Sequence, residues 1–192
     1  VFIKLILGFR LILIERTPIK ELQVFYSSQD FIKKKIIYIF MKFFYRFADR
    51  VIVNSEYTKK LFNKLIKCDL KVIYSPSIES INFFKKKKVK KKIKIISLGR
   101  LSIEKRFNFL IDAISHSNHD NFEVRIIGNG PMKNNLINLI KSKKLTKVIS
   151  IKKFNKNYIK HLNWSNLYIN TSDFEGFPNS VVEAINNNIF VL

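Results

Sequence analysis

The chain has 192 residues, one cysteine and a formal net charge of +22, which is enough length to bury a core as one large or two small domains. Its single Cys68 excludes an internal disulfide framework and fits a reducing compartment. The charge would suit a polyanion or a membrane, but most of the 36 basic residues are lysines in a chain rich throughout in isoleucine, lysine and asparagine, so a biased base composition accounts for it.

The apolar stretch 1–14 carries Lys4 and Arg10, and the uncharged run 36–41 is shorter still. Both fall short of the roughly 20 apolar residues of a membrane span, and 1–14 lacks the small-residue cleavage site of a signal peptide. Beginning at Val1 and ending at Leu192 inside an apolar run, the sequence is expected to be a piece of a longer chain. Short β-branched runs then alternate with helical patterns. Residues 10–15 (RLILIE) read as a buried strand closed by Thr17-Pro18, 31–48 as an aromatic helix, and 50–54 (RVIVN) as a strand. A helix over 56–67 and a strand over 71–74 follow. Ser75-Pro76-Ser77 breaks the pattern, and the charge run 85–92 (KKKKVKKK) has no core potential. The expected organisation is a domain over 1–75, a basic linker over 76–92 and a second domain over 93–192.

The second half reads as a strand over 93–98 ending at Gly99, a helix over 105–117, and a strand over 122–127 ending at Gly128-Asn129-Gly130-Pro131. Pro131 takes the place of a first helical residue, with the helix running to 143. A strand over 148–151, a helix over 155–163, a strand over 167–170, the Glu175 turn, another helix and a last run over 189–192 complete the chain. Such alternation predicts α/β architecture with parallel, doubly wound sheets, whose ligands bind beyond the carboxyl ends of the strands. Gly99, Gly128, Gly130 and Gly176 all lie just beyond proposed strands, where glycine lets backbone approach a ligand or take positive φ. For Gly128 and Gly130 an ordinary strand-to-helix turn is the alternative.

Two groups of residues could carry chemistry. Gly99-Arg100 ends one strand and Lys105 follows at the next helix start; a forked guanidinium and a point-charge ammonium suit a diphosphate, unless they are merely solvated cations. In Glu175-Gly176-Phe177-Pro178-Asn179-Ser180-Val181-Val182-Glu183, two carboxylates flank a turn into a helix start. Paired acids could hydrolyse a glycoside, but hydrolysis needs no Arg-Lys diphosphate site, so binding of a phosphorylated sugar is the better reading. His116 and His119 in a polar turn, and His161 near Trp164, have no metal-spaced partners.

The stretches GRLSIEK, VRIIGNGPMKNNL and YINTSDFEGFPNSVVEA, in this order and spacing, resemble the donor-binding domain of the retaining glycosyltransferases of family 4, which have the GT-B fold. The resemblance covers 93–190. Upstream, LILIERTP and FADRVIVNSEYTKKLF resemble the later part of that family's acceptor-side domain, and IYSPSI its interdomain linker, where asparagine more commonly stands in place of Ser75. The resemblance implies two Rossmann-like domains, the first truncated and the second lacking its C-terminal end. It implies transfer of a sugar, with retention, from a UDP- or GDP-linked donor to a glycan or lipid-linked acceptor in cell-envelope polysaccharide or glycolipid synthesis. Arg100 and Lys105 would hold the diphosphate and stabilise the charge of the departing group, with catalytic roles shared by Glu175. Glu175 would contact the donor sugar's hydroxyls, Gly176 and Phe177 would offer backbone donors, and Pro178 and Asn179 complete the donor-binding turn. Glu183 would accept from the ribose hydroxyls. No Asp-x-Asp occurs, in keeping with a site that uses neither metal nor cofactor.

The chain departs from the family pattern in places. Arg106 stands where glycine is usual, which would hold the helix start farther from phosphate. Asn187-Asn188-Ile189-Phe190 replaces a small residue, glycine and proline at the far wall, and the family's acceptor-domain histidine is not evident near Glu15-Arg16-Thr17. Two other functions stay open: a nucleotide-sugar-binding remnant without turnover, or a basic nucleic-acid binder. Against the second, the aromatic-glycine ribonucleoprotein pattern and zinc-ligand spacing are missing, so no nucleic-acid partner is expected. Segment 31–47, with Lys33, Lys34, Lys35, Lys42 and Arg46 among aromatics, reads either as an interfacial helix on anionic lipid or as a core-facing helix. The expected location is the cytoplasm, with peripheral contact at the inner face of the membrane.

Overall fold

The computed structural model describes residues 8–16, 19–25, 27–76, 78, 91–155 and 157–192. Thr17, Pro18 and all but four positions of the basic segment 76–92 lie outside the described residues. The chain divides into two compact units, Val1–Pro76 with Phe174–Phe177, and Ser77–Asp173 with Pro178–Leu192.

In the first unit, β1 (Ile12–Glu15), β2 (Arg50–Val53) and β3 (Leu70–Val72) form a parallel sheet in that order. Helix α1 (Ser28–Phe44) starts where the Ser27 side chain accepts from the Asp30 amide, and Asp30 pairs with Lys34 one turn on at 3.0 Å. Helix α2 (Glu56–Asn63) is capped in the same way, the Ser55 hydroxyl accepting from the Thr58 amide at 3.1 Å. Val51, Val53, Phe62, Met41 and Ile66 form the core of this unit. The expected helix over 31–48 starts earlier, ends at Phe44 and passes into a 3-10 turn, Tyr45–Phe47. Helix α2 ends at Asn63, short of 67, in a turn where Leu65 and Ile66 both donate to the Phe62 carbonyl.

Helix α1 packs one face on the core, as the core-facing reading of segment 31–47 expects, and leaves the other exposed. Tyr38, Met41 and Tyr45, at helical spacing, pack on the core. On the opposite face Ile32, Ile36, Ile39, Phe40 and Phe43 are exposed, and Arg46 stacks on the Phe43 and Phe47 rings at 4.3 and 4.9 Å. Among the described residues no helix is long and apolar enough to cross a membrane.

The second unit is built on a five-stranded parallel sheet in the order β6-β5-β4-β7-β8, where β4 is Ile93–Leu98, β5 Phe122–Ile127, β6 Ile149–Lys152, β7 Leu167–Tyr168 and β8 Phe190–Val191. The central strands β4 and β5 carry β-branched residues buried on both faces, as a parallel sheet covered by helices requires. Helix α3 (Phe107–Ser115) packs Phe107, Leu110, Ile111 and Ile114 against one face together with Leu136 and Ile140 of α4 (Lys133–Ser142). The opposite face is covered by Leu162 of α5 (Tyr158–Trp164) and Ala184 of α6 (Asn179–Asn186).

Several boundaries correct the sequence expectation. Lys105 is not in the first turn of α3 but ends a 3-10 turn, Ile103–Lys105, that precedes it. Pro131 is not the first helical residue: α4 begins at Lys133, after a turn in which the Met132 amide donates to the Leu101 carbonyl in the β4 loop. The strand at 167–170 contracts to Leu167–Tyr168, and the last strand to Phe190–Val191.

Candidate functional site

In the second unit the loops beyond β4 and β7 are tied into one platform. Gly99 and the exposed Arg100 follow β4 directly. The Lys105 side chain folds back across that strand end, its Cδ and Cε 3.6 and 3.7 Å from where a Cβ on Gly99 would stand. Lys105 thus lies against the strand end that Arg100 follows. The Lys105 carbonyl accepts from the Thr171 hydroxyl at 2.8 Å, and the Glu104 carbonyl accepts from the Asp173 amide at 2.9 Å. Deeper in the same unit, the buried Tyr168 hydroxyl lies 3.2 Å from the Leu98 carbonyl oxygen and 2.7 Å from the Ser180 hydroxyl. That phenol fixes the first turn of α6 beside the end of β4, so Pro178 and Asn179 stand near Gly99 and Arg100.

Arg106 explains its own departure from the family pattern. Its φ is 51°, in the left-handed region where glycine is favoured. An arginine is retained there with its Nε 2.8 Å from both oxygens of Asp173. Asn188 similarly takes φ 55° just past α6, the conformation a helix-ending glycine would adopt, and asparagine is the residue best able to replace it. The Asn187 side chain donates to the Glu183 carbonyl at 2.7 Å, and β8 still pairs with β7.

Glu183 is half-buried on α6, and burial raises its pKa above the ordinary carboxylate value while a hydrogen bond from Tyr158 opposes the rise. Such a group is a desolvated acceptor already supplied with one donor. At Gly128 and Gly130 neighbouring backbone leaves no room for a side chain. A Cβ on Gly128 would lie 2.0 Å from the Gly99 carbonyl oxygen, and one on Gly130 would lie 2.4 Å from that of Leu101. Both serve the close approach of two loop backbones.

The residues Gly99, Arg100, Lys105, Pro178, Asn179 and Glu183 belong to the second unit, whereas Glu175, Gly176 and Phe177 group with the first. Within the first unit Gly176 leaves no room for a side chain, a Cβ there falling 2.7 Å from the Arg16 carbonyl oxygen and 2.9 Å from Asn54 Nδ2. The Phe177 ring lies 5.7 Å from that of Tyr74. A cavity of about 250 Å³ opens beyond the carboxyl ends of β1–β3, lined among others by Glu15, Arg16, Asn54, Tyr74 and Ser75. Its polar lining is held in place: Asn54 donates to the Arg16 carbonyl at 3.0 Å, Arg16 donates to the Ser75 hydroxyl at 3.1 Å, and Tyr45 donates to Glu15 at 2.9 Å. Burial and the Glu15 carboxylate push the Tyr45 phenol well up. His161 packs by Arg125, whose guanidinium stacks 3.6 Å above the Trp164 ring, and burial, then Arg125 and Lys152, lower its pKa.

Sequence reasoning missed Tyr158, Tyr168, Thr171 and Asp173. Thr171 and Asp173 sit in the TSD run just past β7, a polar run at a strand end that could have drawn attention. Tyr158 and Tyr168 act through tertiary neighbours that no local pattern reveals.

Similarity to known proteins agrees with this architecture. The chain is 29% identical over 180 residues to an uncharacterized glycosyltransferase of Methanocaldococcus jannaschii, covering 86% of this chain and 44% of that protein. It is 27% identical over 151 residues to the amylovoran biosynthesis glycosyltransferase AmsD of Erwinia amylovora, covering 75% of this chain and 42% of that protein. It thus spans less than half the length of either relative. In fold it matches the crystal structure of Anabaena HepE in complex with UDP and glucose, with a TM-score of 0.73 at 19% identity over 99% of this chain and 54% of that one. The fold is GT-B. The family Glycosyl transferases group 1 matches residues 79–192, more than half of the sequence, and the chain belongs to that family.

Proposed function

We propose that the chain forms part of a retaining, family 4-type glycosyltransferase that moves a hexosyl group from a UDP- or GDP-linked donor to an acceptor hydroxyl. The observation that carries this is the convergence of Arg100, Lys105 and the first turn of α6 at one end of the second unit's sheet. Two cations at a strand end beside a helix start suit a diphosphate. As the bond between the sugar's anomeric carbon and the phosphate oxygen breaks, negative charge gathers on that oxygen. Arg100 and Lys105 stabilise it without a metal ion. Glu183 accepts from the ribose hydroxyls, and Glu175 holds the donor sugar, with Gly176 and Phe177 contributing backbone donors.

HepE was solved with UDP and glucose, and AmsD is a polysaccharide-biosynthesis enzyme; both support a nucleotide-sugar donor and a glycan or lipid-linked acceptor. The cavity beyond β1–β3 is the acceptor side of the reading. In titrations with UDP and GDP, Arg100→Ala and Glu183→Ala should each weaken binding strongly, and unchanged affinity in both would refute the donor site. Nucleotide binding without sugar transfer, in a chain restored to its relatives' length, would leave a binding remnant.

The apolar outer face of α1, edged by Lys33, Lys35, Lys42 and Arg46, suits the inner, anionic surface of the membrane. An equally basic second copy would be repelled. The protein should partition onto phosphatidylglycerol vesicles and leave them as salt rises; salt-insensitive partition, or none, removes this part of the reading.

A further inference from the structure

We propose that Phe154 is the platform on which the nucleobase of the donor stacks. The inference rests on the reading of Glu183 as the ribose ligand, and its geometry lies wholly within the second unit.

Phe154 stands two residues beyond the carboxyl end of β6, the side of the sheet where ligands of such folds bind. Phe154 is 47% exposed, although it is the kind of residue a fold normally buries. It stacks against Tyr158, with ring centroids 5.0 Å apart and planes 29° from parallel. Tyr158 in turn packs on the core formed by Leu162, Tyr168 and Ala184, and its hydroxyl donates to the Glu183 carboxylate. Phe154 belongs to none of the core clusters of the described residues. One face of its ring is used by Tyr158, and nearly half of the residue's surface stays exposed.

Carboxylate, phenol and open ring thus form a continuous line. In a nucleotide the base hangs from the ribose carbon next to the 2′ hydroxyl. A carboxylate that holds the ribose hydroxyls therefore places the base to one side, within reach of a ring coupled to that carboxylate by a single side chain. The loop presenting Phe154 is shaped from within: the Tyr158 amide donates to the Asn155 carbonyl at 3.1 Å and the Asn157 amide to the Asn155 side chain at 2.9 Å. A bare aromatic face offers no donor or acceptor pattern. It adds affinity for any base and does not choose among them.

The test is calorimetric titration of the 192-residue chain with UDP, GDP and inorganic pyrophosphate. Phe154→Ala should weaken UDP and GDP binding at least about fivefold, the lower end of what one base-aromatic stack contributes, and leave pyrophosphate affinity unchanged. Phe154→Trp should keep nucleotide affinity, and its indole fluorescence should fall on adding UDP, over the background of Trp164, the single native tryptophan. Wild-type UDP affinity in Phe154→Ala would overturn the platform and leave the donor site standing. Loss of pyrophosphate affinity in step with UDP would also overturn it, since the substitution would then act by disordering the loop. Failure of the unaltered chain to bind UDP or GDP would instead strike the donor-site reading, and the platform with it.

Discussion

Two glycines facing one another beyond β4 and β5 should respond to the same substitution in opposite ways. A Cβ on Gly128 would sit 2.0 Å from the Gly99 carbonyl oxygen, whereas even a close carbon–oxygen contact needs about 3.3 Å. The loops must part by more than about 1 Å to relieve this clash. Three backbone hydrogen bonds lace them together: Gly99 to Ile127 at 3.1 Å, Leu101 to Asn129 at 2.9 Å and Met132 to Leu101 at 2.9 Å. Parting stretches these past useful length, and at about 1 kcal/mol each the cost is about 3 kcal/mol. For a unit of this size that lowers the melting temperature by roughly 10 °C. The neighbouring change, Gly99→Ala, places its Cβ in ordinary contact, 3.5 Å from Phe107 and 3.6 Å from Lys105, so the fold should tolerate it. Thermal melts followed by circular dichroism test the pair, with UDP titration alongside, because Gly128→Ala also displaces the strand end that carries Arg100. A Gly128→Ala melt within about 2 °C of wild type, or equal destabilisation by Gly99→Ala, would show that the two loops are not locked together as described.

At Arg106 the left-handed backbone and the Asp173 pair can be separated. Arg106→Ala keeps the strained φ and loses the pair, while Arg106→Gly loses the pair but relieves a cost of about 1–2 kcal/mol, part of it returned as unfolded-chain entropy. The glycine variant should therefore be about 1 kcal/mol more stable than the alanine variant by urea unfolding, and equal stabilities would disprove the strain. Glu183→Gln should divide stability from function. Because burial raises the folded-state pKa of Glu183, its contribution to stability is full below the unfolded carboxyl value of about 4.5 and is lost as pH rises through the folded value. The glutamine variant should therefore melt higher relative to wild type at pH 7 than at pH 4. Its UDP affinity should fall about tenfold or more, the worth of a hydrogen bond to a charged acceptor. A relative melting temperature that does not change with pH would contradict the burial argument, whatever happens to affinity.

Alternation of β-branched runs with helical periods was enough to read parallel sheets, since β4 and β5 are rich in isoleucine and valine and bury neighbouring residues on both faces, as a sheet covered by helices requires. The strand order β6-β5-β4-β7-β8 was not legible, because pairing depends on contacts between residues far apart in the chain, such as Ile95 with Leu167. Helix starts were displaced by turns whose partners lie elsewhere in the chain: the Lys105 carbonyl accepts from Thr171, and the Met132 amide donates to Leu101. Pro131 accordingly stands in the turn before α4, despite its fitting type. Position 106 shows the same limit in the site itself. Sequence reasoning saw only that an arginine had replaced a glycine and expected the helix start to stand off from phosphate. What matters at that position is a backbone conformation, and an arginine can hold it because Asp173, 67 residues away, accepts from its guanidinium. Substitution at a turn glycine is thus read correctly only with its long-range partner in view, and Asp173→Ala should make Arg106→Gly stabilising where it is close to neutral in the native background.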